Sequence, residues 1–232
     1  MSLSKVLELA RADLGYTESP PNSNNTKYGE RYGLQNQPWC VIALWDWFDR
    51  AGERMAFFGG RKTARCSTIL RWYRSQGLTV PVSDVNVGDI VILNFSGKRV
   101  DGELDTEHCG LVTEVNRRYE TKELILIQTI EGNTTPGMEG SQDNGGCVAL
   151  KNRYPYQIVA VCRHPYKPEE PKKDYEGHWA QGVFEWGIKN GLIQGYKDGT
   201  YRPNDTPTRA EMFDFGKDLY DLICKQMGDD GK

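Results

Sequence analysis

At Val85 the hydrophobic period of this chain changes. Before it, apolar side chains recur at three- and four-residue steps, as on one face of a helix. After it, they come in short runs broken by Gly, Asn and Asp, as strands do. Val41, Leu44, Trp45 and Phe48 mark one helix, and Ile69, Leu70, Trp72 and Tyr73 mark another across Cys66–Ser75. An amphipathic helix at 3–14, capped by Ser2 or Ser4, precedes them. Strands are predicted at 90–95, 108–115, 124–131, 147–151 and 158–163. Helices first and an antiparallel sheet after make an α+β domain over residues 1–165.

Pro165, Pro168 and Pro171 then fall among Glu and Lys, which predicts a stiff, solvated linker at 166–173. Residues 174–224 read as a helix at 179–190, a Gly-rich turn at 191–200 and a helix at 208–223. Thr208 and Glu211 have the spacing of a capping box. About fifty residues bury little core alone, so the segment is expected to need a neighbour, a partner chain or a ligand.

Composition narrows the function. Lys and Arg number 29 against 32 Asp and Glu, so no basic surface suggests nucleic acid. No apolar run approaches the ~18 residues of a membrane span. The N-terminus lacks the apolar stretch of a signal peptide, so synthesis in a reducing cytoplasm is expected. Six cysteines are scattered without a CxxC pair, which predicts neither a zinc ribbon nor a disulfide framework. No cofactor and no metal are expected.

Cys40 opens the helix that follows Pro38-Trp39. There, unpaired N–H groups and the helix dipole favour the thiolate. A cysteine nucleophile needs an imidazole, and the imidazole needs a polar group to fix its tautomer. Of three histidines, His108 is the one inside the sheet region; His164 adjoins the linker and His178 lies in the tail. Strand alternation sets His108, Gly110 and Val112 on one face, and Cys109 and Leu111 on the other, making Cys109 core. Glu131 and Asn133 end the most apolar strand, and either could orient the imidazole. If the strand geometry persists, they share a face.

Pro38-Trp39-Cys40, Glu107-His108-Cys109-Gly110-Leu111-Val112 and Ile130-Glu131-Gly132-Asn133-Thr134 resemble the three motifs of the CHAP family of peptidoglycan hydrolases. Asn24-Asn25-Thr26-Lys27-Tyr28-Gly29 and Ser141-Gln142-Asp143-Asn144-Gly145-Gly146 extend the resemblance. It implies a papain-like fold and an amide-cleaving enzyme, with Cys40 as nucleophile, His108 as base and acid, Glu131 as orienter and Asn133 in support. The implied substrate is peptidoglycan, cut by an N-acetylmuramoyl-L-alanine amidase or by an endopeptidase. A non-catalytic wall-binding protein is the rival of another class. Cys109 departs from the family's usual aliphatic residue, and no acidic calcium loop precedes Cys40.

In the tail, Gly177-His178-Trp179-Ala180, Gly195-Tyr196-Lys197-Asp198-Gly199-Thr200-Tyr201-Arg202-Pro203-Asn204 and Thr208-Arg209-Ala210-Glu211-Met212 resemble an S-layer homology domain. That resemblance implies binding to an anionic secondary polymer of the bacterial wall, with Trp179 and Arg209 at prominent motif positions. The family generally uses three copies, so a homotrimer through this single copy is expected. The combined expectation is a wall-acting lysin, of phage or host origin.

Overall fold

The computed structural model describes residues 3–55, 57–138, 145–166, 173–196 and 198–229. The chain forms two compact units, Met1–Glu169 and Glu170–Lys232. Most of the expected linker and residues 141–144 of the downstream motif lie outside the described residues, as does Lys197.

The larger unit begins with α1 (Leu3–Ala12), α2 (Lys27–Tyr32), α3 (Cys40–Arg50) and α4 (Cys66–Ser75). Eight strands follow: β1 (Thr79–Val80), β2 (Ile90–Leu93), β3 (Arg99–Val100), β4 (Glu103–Leu104), β5 (His108–Arg117), β6 (Leu124–Thr134), β7 (Cys147–Arg153) and β8 (Ile158–Cys162). Six make one antiparallel sheet in the order β1-β8-β2-β5-β6-β7, and β3 and β4 form a separate hairpin. All five expected strands are present. The short α2, β1 and the β3–β4 hairpin were not expected, because runs of two to six residues show no countable period.

Alternation assigns the sheet two cores. Ile90, Ile92, Cys109, Leu111, Ile130 and Val148 join α1, α3 and α4 on one face. Val91, Leu93, Val112, Ile127 and Val161 pack on the other. β2 is buried on both faces, which is why Ile90–Leu93 is an unbroken apolar run. Trp39, Trp47 and Phe48 are fully buried around α3, each contributing roughly 1.5–3 kcal/mol. Close approach of α3 to β6 depends on Gly132, where a Cβ would lie 2.6 Å from Ala43 Cβ and 2.8 Å from the Trp39 ring.

The smaller unit holds α5 (Gln181–Lys189) and α6 (Arg209–Asp229). Tyr175 stacks on Phe184 with ring centroids 5.3 Å apart and meets Tyr201 edge-on at 4.9 Å. Asp174 accepts hydrogen bonds from the backbone N–H groups of Tyr201 and Arg202 at 2.7 and 2.6 Å. The capping box forms: Thr208 N–H donates to Glu211, and Glu211 N–H donates to Thr208 Oγ1. Val183, Trp186, Met212, Phe213 and Phe215 remain exposed within the unit. Two helices and a turn lack the chain to cover these faces.

Candidate functional site

Cys40 is the first residue of α3, and no side chain caps that helix. Its position is fixed by the residue before it. Trp39 donates from Nε1 to Glu18 Oε2 at 3.1 Å and stacks on Tyr28 at 5.5 Å. Tyr28 is held in turn by α2, whose N-cap Thr26 accepts from Gly29 N–H at 2.9 Å. The Asn24–Gly29 motif therefore bears on the site through packing.

His108 opens β5, and Glu131 lies on the neighbouring β6. Both are fully buried, with His108 Nε2 2.9 Å from Glu131 Oε2. This contact lies off hydrogen-bond alignment, and the other ring nitrogen, Nδ1, has no hydrogen-bond partner. Glu131 is further held by Arg153 on β7, which donates from Nε to Oε1 at 2.7 Å and from NH2 to Oε2 at 2.6 Å. Thr129 donates to Oε1 at 2.6 Å. Gly110 makes room for this group, since a Cβ there would lie 2.8 Å from Glu131 Cγ. Arg153 and Gly110 shape the surroundings of Glu131, and neither stands out as a site residue in the sequence. Arg153 stands opposite Ile127 in the β6–β7 register, so only a long side chain running along the sheet face reaches Glu131.

The electrostatics follow from this packing. Burial opposes the charged form of His108, but Glu131 and Cys40 outweigh it and raise its pKa to about 9. Burial likewise opposes ionised Glu131, yet His108 and Arg153 hold its pKa down at about 2. Contacts with Cys109 and Cys66, and then His108, bring the Cys40 thiol well below its usual value against the effect of burial. Both shifts run in the direction of a thiolate beside an imidazolium.

Asn133 departs from expectation. The β6–β7 register shifts between Glu131 and Thr134, and Asn133 adopts φ 55°. This bulge breaks the alternation that would have set Glu131 and Asn133 on one face. Asn133 Oδ1 is buried without a hydrogen-bond partner, and among the described residues no hydrogen bond links Asn133 to His108.

The cysteines also differ from their scattered pattern in sequence. Cys40 and Cys66 have sulfurs 3.9 Å apart, and the sulfurs of Cys40, Cys66 and Cys109 all lie within 4.8 Å of one another. Cys109 is core, as alternation predicts, and its core position is where the thiols meet. Among the described residues this is the one cluster with the donor set for a metal ion. The expectation of no metal weighed spacing along the chain alone, whereas this cluster joins cysteines far apart in sequence.

In the smaller unit Trp179 is 89% exposed, which excludes a core role. Arg209 is exposed at the start of α6. Neither lines the 460 Å³ cleft formed by Phe184, Tyr196, Tyr201, Arg202 and neighbouring residues. Arg202 there pairs with Asp198 at 2.8 Å and lies 4.2 Å over the Tyr196 ring.

Comparison with known proteins bears on this unit. Residues 173–213 match the S-layer homology domain family. A Cellulosome-anchoring protein of Acetivibrio thermocellus is 51% identical over 39 residues, 17% of this chain and 9% of that protein. The chain therefore spans less than a tenth of the curated relative it matches. No solved structure matches the chain. No helix among the described residues is long and apolar enough to cross a membrane.

Proposed function

We propose that this protein is a wall-associated cysteine amidohydrolase acting on peptidoglycan, held to the wall by its S-layer homology segment. The observation that carries the catalytic half is the buried Cys40, His108 and Glu131 arrangement, with Arg153 fixing Glu131. In this mechanism the Cys40 thiolate attacks the amide carbonyl, and N–H groups at the start of α3 stabilise the oxyanion. His108 protonates the departing amine, then takes a proton from the water that hydrolyses the thioester, breaking its C–S bond and freeing the carboxylic product and the Cys40 thiolate. Amidase and endopeptidase cleavage use the same chemistry, and mass spectrometry of released fragments distinguishes them.

The test is lysis of purified walls. Cys40→Ala and His108→Ala should each abolish turbidity loss while the far-UV spectrum stays native. Lysis by Cys40→Ala at the wild-type rate rejects the assignment.

A second reading is a non-catalytic wall-binding protein on a hydrolase-like fold. Two observations favour it: Cys40 is 5% exposed and His108 0%, and the family match lies at 173–213. Under that reading the wild type binds walls without releasing fragments. Under both readings an anionic wall polymer is the ligand of the C-terminal unit, and Trp179→Ala or Arg209→Ala weakens sedimentation with walls.

A further inference from the structure

Cys40 and Cys66 are the first residues of α3 and α4, and neither helix carries a side-chain cap. Two helix N-termini, each a partial positive charge, therefore converge on the same sulfurs. β5 brings Cys109 to that point from the sheet. All three thiols are buried, and their sulfurs lie within 4.8 Å of one another. A tetrahedral ion about 2.3 Å from each sulfur needs them roughly 3.8 Å apart. The Cys40–Cys66 separation of 3.9 Å already meets this, and the rest require contraction of an ångström at most.

His108 lies outside this group of mutually close donors, and both its ring nitrogens lack a hydrogen-bond partner. Its Nε2 faces the Glu131 carboxylate, 2.9 Å away. Three soft, buried sulfurs suit zinc over magnesium or calcium.

We propose that Cys40, Cys66 and Cys109 form a binding site for one zinc ion, with the fourth position left to water. Occupancy engages Cys40, so it also silences hydrolysis; that second half rests on the catalytic reading above. Each thiol that binds loses its proton, and two helix N-termini favour the resulting anionic cluster.

The test uses the full-length protein, prepared with chelator and then dialysed against Zn2+. Metal analysis should give one zinc per chain. Co2+ in its place should give sulfur-to-cobalt charge-transfer bands and the intense visible bands of tetrahedral coordination. Cys66→Ser and Cys109→Ser should each lower zinc affinity by more than about 100-fold, beyond what losing an outer partner costs. Cys224→Ser, at an exposed thiol outside the cluster, should change nothing. Absence of bound zinc in the wild type, or equal binding by Cys66→Ser and Cys109→Ser, overturns the site. If the apoprotein lyses walls, one equivalent of zinc should stop it and Cys66→Ser should resist. Lysis insensitive to bound zinc overturns the silencing role. Zinc binding without lysis by the apoprotein leaves the metal site standing and removes the hydrolase reading.

Discussion

Glu131 serves two neighbours at once, and its substitution tests both. Glu131→Gln breaks a buried ion pair with Arg153, a change that typically costs about 3–5 kcal/mol in denaturant unfolding. Arg153→Met in the Glu131→Gln background should recover much of that loss, giving a large non-additive term in the cycle. Additive losses would mean the pair is energetically independent. The same residues set a pH window. Glu131 falls from the usual 4.5 to about 2, so its pairing stabilises fully above 4.5 and is lost as pH drops towards 2. His108 rises from 6.5 to about 9, so its contribution is complete below 6.5 and is lost as pH rises through 9. Stability should peak between these limits, and Glu131→Gln should flatten both limbs of urea midpoint against pH. Cys40 and His108 were legible in the sequence because a helix start and a strand start are local patterns. Arg153 and the thiol cluster were not: a diagonal reach across a sheet, and cysteines 26 residues apart that meet, leave no local trace.

Among the elements, the pairing of α3 with β6 governs the site, because it carries Cys40 towards the sheet bearing His108 and Glu131. Gly132→Ala should force α3 away from β6, costing about 1–3 kcal/mol by overpacking. Thermal unfolding reads the cost, and a melting point equal to wild type would show that Ala43 and Trp39 can yield. The sequence displayed the long elements, since ten-residue patterns average out exceptions. It concealed the bulge at Asn133, because one residue in left-handed backbone reverses everything that alternation says after it.

For the whole molecule, the exposed apolar faces of α5 and α6 raise the matter of assembly. A trimer through the C-terminal unit would cover Val183, Phe213 and their neighbours by closed symmetry. Light scattering should then report three chains at micromolar concentration, and one chain for Phe213→Asp; a monomeric wild type removes the trimer. The sheet order has its own bearing on biosynthesis. β8 lies between β1 and β2, although it is the last strand of its unit to be made. Until residues 158–162 leave the ribosome, the edge of β2 has no partner on that side, and a bare apolar edge recruits other chains. A polypeptide ending at Arg153 should therefore aggregate, whereas one ending at Glu169 should be soluble in a pelleting assay. The second unit follows β8 in the chain, and its synthesis gives the sheet time to close while the nascent chain is still tethered.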